Sequence, residues 1–275
     1  MLKLEKIGPV HWEFVYPVEF ERTWDNYDKA VDLLMIGRLK EAEKELKRIL
    51  RHLPDHLDAL HHLAIIKEQM GDTESAFYIW GQAIRLGKKA FPDKFKLGRD
   101  RLEWGFLNNR PFLRCMHAYG LSLLERGNKK EALSIFEEIL LLNPNDNQGV
   151  RELVVDLYFS FQQPEKVLEI CRLYPDDIIP GVLYGRPLAL FQLNRKEEAT
   201  EHLEKAVKLS PLIARELLKK KHKRPLIHPD MVTVGGEDEA YLYWEGSRNF
   251  WNGTPGAIEW LKEVYNNTKK CKEDF

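Results

Sequence analysis

Cysteine is scarce in this chain of 275 residues: Cys115, Cys171 and Cys271 are odd in number and far apart. That usage excludes a disulfide framework and fits a reducing compartment. Charge of one sign is also missing, because 42 Lys and Arg against 43 Asp and Glu leave a formal −1. A dedicated binder of nucleic acid or of an anionic membrane needs a positive field, so neither class is expected. The longest apolar runs, such as Ile139-Leu140-Leu141-Leu142, fall far short of the roughly 20 residues that span a bilayer. No basic and apolar leader opens the chain; Met1 to Lys6 already alternates charge with Leu. The hydrophobic share, 44%, is that of a globular protein and excludes wholesale disorder. A soluble, cytoplasmic protein is the expectation.

The motifs of common chemistries are absent as well. There is no phosphate-binding glycine loop, no dinucleotide fingerprint and no nucleophile elbow. No C-x-x-C or H-E-x-x-H signals a metal. His52, His56, His61 and His62 cluster, but Pro54 separates the first two and the last two are adjacent, so they point apart. Cys115 and His117 are two apart on a predicted helix and also diverge. The sequence therefore predicts no catalytic residues, no metal and no cofactor.

What is present is a repeat. Gly37 is followed five residues later by Ala42, and Gly71 by Ala76, 34 residues further on. Gly127 and Ala132 repeat the pattern after one period plus a 22-residue insertion, and Asn194 and Ala199 nearly do so. Each unit reads as two helices. In the first unit, Ala30, Leu33 and Leu34 precede the turn; Ala42, Leu46 and Ile49 follow at helical spacing, and Pro54 ends it. The third gives Tyr119, Gly120 and Leu123, then Ala132, Phe136 and Ile139, then Pro144. Small residues let paired helices approach, Gly in the turn takes φ > 0, and Pro cannot continue a helix. One pair cannot bury its own apolar face, so pairs must stack.

This pattern resembles the tetratricopeptide repeat (TPR) family over roughly residues 23–212. Two departures stand out. Gln162-Gln163-Pro164 replaces the turn glycine of the fourth copy, and Pro187 occupies a small-residue position of the fifth, where it should kink the helix or mark its start. The fold expected is all-α: a right-handed α-solenoid of about five TPR-like helix pairs. An N-terminal extended strap (1–22), a helical insertion (about 88–111) and a C-terminal capping helix pair (213–275) would flank or interrupt it.

In the strap, Trp12, Phe14 and Tyr16 alternate with Glu13 and Val15, giving one aromatic face. It would cover the apolar end of the array, or else occupy the groove or pair with another chain. The insertion carries Leu97, Arg101, Leu102 and Trp104, which suggest one further helix. The basic run Lys219 to Arg224 lacks aromatic interleaving and reads as a solvated helix end. Ala240, Trp244, Ser247 and Trp251 form one helical stripe, and Thr254-Pro255 would start a last helix. The stretch from Ser210-Pro211 through Gly236-Glu237-Asp238-Glu239-Ala240 to Thr254-Pro255-Gly256-Ala257 is similar to the C-terminal part of the suppressor-of-tumorigenicity-seven family. It is also similar to uncharacterised prokaryotic TPR proteins. Asn109-Arg110-Pro111-Phe112-Leu113-Arg114 and the stretch from Asn143-Pro144 to Val150-Arg151 share the second resemblance.

The TPR resemblance implies that the first helix of each pair lines a concave groove. It places Asp58, His61, Ile65 and Glu68 there in the second copy, and Arg114, His117, Leu121 and Leu124 in the third. Gln148, Arg151, Val155 and Tyr158 follow in the fourth, and Tyr184, Leu188 and Phe191 in the fifth. Arg forks suit carboxylates and Tyr anchors interfaces, so a peptide or protein segment with an acidic group is the partner expected. Salt bridging between neighbouring repeats is the alternative role for Arg114 and Arg151. Asp146 precedes Asn147-Gln148 as a helix cap. The expected function is that of a non-enzymatic scaffold. The alternatives are a self-assembling homo-oligomer built through the aromatic N-terminal segment, or a small-molecule site near the insertion.

Overall fold

A computed structural model describes residues 1–228 and 231–273, with side chains through residue 270. Among the described residues the structure is all-α apart from one short hairpin, and the chain divides into two compact units, Met1–Val150 and Arg151–Phe275.

In the first unit, β1 (Lys3–Lys6) pairs antiparallel with β2 (Trp12–Val15), and Leu4 lies opposite Phe14. A 3-10 turn, Val18–Thr23, leads into three helix pairs. These are α1 (Trp24–Met35) with α2 (Leu39–His52), α3 (Leu57–Gln69) with α4 (Thr73–Lys89), and α5 (Arg110–Glu125) with α6 (Lys129–Leu142). The second unit is built from α7 (Val150–Ser160), α8 (Pro164–Leu173), α9 (Pro180–Gln192) and α10 (Lys196–Leu209). The short α11 (Pro211–Leu217) and the long α12 (Glu237–Gly253) and α13 (Ala257–Glu273) complete it. Five TPR-like pairs are thus present, as the repeat predicts.

The turns inside the pairs explain the period. Each first helix ends with the same two hydrogen bonds: Gly37 N–H to Leu34 C=O and Arg38 N–H to Leu33 C=O in the first pair, and their equivalents in the other four. This terminator requires a left-handed residue. Gly37, Gly71 and Gly127 supply it at φ 75°, 81° and 77°. The fourth and fifth pairs use Gln162 at φ 56° and Asn194 at φ 59°. The missing glycine therefore changed the residue but not the turn.

Close approach within a pair needs a small side chain. A Cβ on Gly120 of α5 would sit 2.4 Å from Cε1 of Phe136 on α6. Ala42, Ala76, Ala132 and Ala199 are fully buried at the matching place of the second helices. Pro187 lies inside α9, which starts at Pro180, so it does not mark the start of that helix.

The insertion differs from expectation. No α-helix forms between Lys89 and Arg110; only a 3-10 turn, Leu107–Asn109, interrupts loops. Pro92 and Gly98 (φ 85°) break any helical run. Side chains and distant backbone replace the helical bonds: Leu102 N–H donates to Leu142 C=O and Trp104 N–H to Asn143 Oδ1. Phe91 and Phe95 of the insertion pack against the N-terminal hairpin, whereas Leu97 is exposed and Leu102 is buried. Trp12 stacks edge-on with Phe95, and Phe14 contacts Phe91 and Phe112. Buried Asn109 ties the two together, accepting from Phe14 N–H and donating to the carbonyls of Trp12 and Glu103. The hairpin thus seals the insertion and the start of α5.

Candidate functional site

In the first unit the first helices lie side by side, α1 on α3 and α3 on α5, whereas α2, α4 and α6 approach one another less closely. The first helices form the inner wall. Asp58 and Arg114 meet on it, Nη2 donating to Oδ1 at 2.6 Å across neighbouring repeats. Arg114 Nε is buried with no partner, so its guanidinium is only partly satisfied. The Tyr27 hydroxyl lies 3.0 Å from His62 Nδ1. His56 caps α3: its Nδ1 accepts Ala59 N–H at 3.1 Å, which requires a neutral ring. Burial holds it neutral by lowering its pKa to about 4. Phe20 and Tyr27 sandwich that imidazole.

His61 is buried one turn further along, with Nδ1 unpartnered. Burial, with help from His62 and Arg114, pulls its pKa down to about 3. Burial lowers His117 as well. Towards the other end of the wall, Glu68 is exposed; partial burial and the charge of Glu125 raise its carboxyl. Leu121, 38% exposed, stands on the same wall. Gln148 is partly engaged: its Nε2 donates to Leu113 C=O, while its Oε1 is buried without a partner.

Cys115 donates to Leu57 C=O in the core, and burial pushes its thiol far above the ordinary range, so it holds no nucleophilic thiolate. Among the described residues, no group of three or more His, Cys, Asp or Glu side chains is placed to hold a metal. No described helix is long and apolar enough to cross a membrane.

The second unit treats its inner wall differently. Helix α12 lies on α9, and its buried stripe runs Ala240, Tyr243, Ser247 and Trp251. Trp244, expected on that stripe, faces the loop and stacks on His222 at 3.6 Å. Two predicted groove residues, Tyr184 and Phe191, lie against the closing helices. Tyr184 is fully buried; its hydroxyl donates to Ser210 C=O at 2.7 Å and its ring abuts Tyr243 and Trp251. Phe191 stacks on Trp260 of α13. Tyr158 is buried too, and the neighbouring Phe159 stacks on Phe250. The wall that would have offered aromatic contact to a ligand already contacts the chain's own closing helices.

Arg151 is committed as well. Its fork engages both oxygens of Asp177, and its guanidinium lies 5.0 Å from the Tyr174 ring centre. Burial alone would raise Asp177; the Arg151 fork and the Ile179 N–H outweigh it and hold that carboxyl low. Glu152 accepts Gly181 N–H at the start of α9, although burial raises its carboxyl. One turn on, burial and the Glu152 charge lift Asp156 to about 7. Asp146, in the first unit, performs the capping role expected of it: Oδ1 accepts Val150 N–H at 2.8 Å.

Sequence reasoning missed Asn109, Asp177 and the place of α12. The aromatic stripe of α12 was visible as a buried face, but nothing in it specified which wall it covers.

Known proteins resemble this chain in fold and, over much of its length, in sequence. MamA, in crystal form, has a TM-score of 0.49 at 15% identity, over 75% of this chain and all of that one. YrrB, described as a TPR protein with an unusual peptide-binding site, has a TM-score of 0.47 at 14% identity, over 71% and 93%. A probable transcription factor, claV, of Ampulloclitocybe clavipes is 26% identical over 161 residues, covering 52% of this chain and 20% of that protein. The chain thus spans about a fifth of the length of that curated relative. The model of the Tcf25 family, described as transcriptional repressor TCF25, matches residues 39–274, from the second helix of the first repeat to the closing helices. That span includes the segments similar to the suppressor-of-tumorigenicity-seven family, and over most of its length the chain belongs to the Tcf25 family.

Proposed function

We propose that this chain is a non-enzymatic scaffold that holds a partner protein segment against the inner wall of its first unit. The observation that carries this reading is the contrast between the walls. In the second unit the chain's own α12 lies against Tyr184. In the first, Leu121 and Glu68 remain exposed, and on the same wall the Arg114 guanidinium keeps an Nε without a partner.

Asp58, His61, Glu68, Arg114 and His117 are the residues proposed to meet the partner, with Leu121 as apolar contact. Arg114 would offer its remaining donors to an acidic group. Glu68 and Glu125 suit a basic group about three turns further along. Arg151, Tyr158, Tyr184 and Phe191 serve the internal packing of the second unit in this proposal. The family's description and the claV relative favour a partner within transcriptional control.

A photo-crosslinking residue at Leu121, compared with one at exposed Lys130 on α6, tests the assignment in the organism of origin. Capture of a defined protein from position 121 and not from 130 is expected. Equal capture at both, or capture from 130 alone, would refute the inner-wall assignment.

A further inference from the structure

The opposite side of the first unit carries a second feature. Between α2 and α4 runs a groove of about 690 Å³. That size lies within the roughly 300–1,000 Å³ of ligand clefts. Its floor is Leu60 and Leu63 of α3, only 4% and 6% exposed, with Leu50 and Ile79 half-buried on the flanks. Its rim is basic. Lys40, Lys44, Lys47 and Arg51 follow one another along α2 at spacings of four, three and four residues, so they share one helix face. They extend over about 16 Å at 1.5 Å per residue.

Three of these cations make no ion pair among the described residues: Lys47 pairs with Glu43, but Lys40, Lys44 and Arg51 have no such pair. Glu43, the acid of the groove, is already held between Lys47 and Lys67. A chain with a net charge of −1 has therefore placed a row of four cations, three of them without an ion pair, beside an apolar trough.

We propose that this groove docks an amphipathic helix with an acidic edge, contributed by a partner protein. The charge row argues for the acidic edge, and its helical spacing for a helix lying alongside α2, with carboxylates at matching rises. The apolar floor argues for Leu-like anchors spaced three and four residues apart. The recess decides against a membrane, because a flat bilayer would meet the lysines without reaching Leu60 and Leu63. It decides against nucleic acid too: a phosphate backbone has no use for an aliphatic floor, and no aromatic side chain lines the groove for base stacking.

The test is selection of a displayed library of random 18-residue peptides on the full-length protein at low salt. Enriched sequences should carry Asp or Glu and large apolar residues at helical spacing. Their affinity should fall by about tenfold or more in Lys44→Glu/Arg51→Glu, and should weaken with salt. Both side chains are exposed and unpaired, so the variant should keep the wild-type far-ultraviolet circular dichroism and melting temperature. A Leu121→Glu variant on the inner wall should bind the peptides as wild type does. The proposal fails if the enriched peptides lack the acidic pattern, if none is enriched, or if charge reversal leaves binding unchanged. It fails equally if Leu121→Glu abolishes binding. Sedimentation with phosphatidylserine vesicles that is lost on charge reversal, without peptide enrichment, would give the groove to a lipid surface instead.

Discussion

Replacing Gly120 by Ala is a severe test of the helix-pair packing. The added methyl would lie 2.4, 2.8 and 3.0 Å from three ring atoms of Phe136, which is fully buried. To restore ordinary contact the ring or the helix must move by roughly 1 Å in a close-packed interior. Such overpacking costs about 1–3 kcal/mol, against which Ala gains about 1 kcal/mol over Gly in a helix. Contacts of 2.4 and 2.8 Å put the cost in the upper part of that range, about 2–3 kcal/mol, which leaves a net loss of about 1–2 kcal/mol, or a fall of some 2–8 °C at about 2–4 °C per kcal/mol. Gly246 in α12 is the matched control. It is exposed, and a Cβ there meets only Asp156 Oδ2, at 3.9 Å. Gly246→Ala should therefore raise the melting temperature by about 2–4 °C, since only the propensity gain of about 1 kcal/mol remains. Calorimetry on both variants reads the sign directly. A Phe136→Leu substitution should then be less harmful in the Gly120→Ala background than in the wild type, because it removes the clash. If Gly120→Ala is as stable as wild type, or if the two substitutions add, the close-approach argument is wrong.

Three further outcomes follow from the same geometry. Asp156 is raised to about 7 in the folded chain from an ordinary carboxylate value, so folding favours its protonated form. Its contribution to stability is present below about pH 4 and is lost as pH rises through about 7. Melting curves of Asp156→Asn should therefore lose the decline that wild type shows across that window. Asn109→Ala would leave the Phe14 amide and the Trp12 and Glu103 carbonyls unpaired, costing about 2–3 kcal/mol. Faster hydrogen exchange at Phe14 and early proteolysis of the hairpin should reveal it. Gln162→Gly should stabilise by about 0.5–1 kcal/mol, because the left-handed conformation strains Gln. Asn194→Gly should gain less, since Asn tolerates that conformation; urea titrations that reverse the order would contradict this account of the turns.

The repeat was legible because its signals are local. Gly37, Gly71 and Gly127 each mark a turn that any L side chain resists, and the small residues mark where helices touch. Where the same turn was built from Gln162, only its place in the period gave it away. The insertion was misread because Leu97, Leu102 and Trp104 recur at spacings that a helix and a folded loop can share. What holds the loop is contact of Phe95 and Phe91 with Trp12 and Phe14, which lie about 80 residues away in sequence, beyond any window of periodicity. The inner walls were half legible. The positions followed from the period, but that α12 would lie on one wall depends on contacts between distant aromatics. For Arg114 and Arg151 the sequence left a ligand fork and a salt bridge between repeats both open, because Asp58 and Asp177 come near them only in three dimensions.

The position of α12 bears on how this protein can be divided. A fragment cut at the end of the last repeat would set Tyr184, Phe159 and Phe191 in water, a sticky aromatic strip that the native chain never shows. Pull-downs with such a fragment would harvest whatever coats that strip. The final two helices are therefore best regarded as part of the minimal folding unit, and trimming them would manufacture partners.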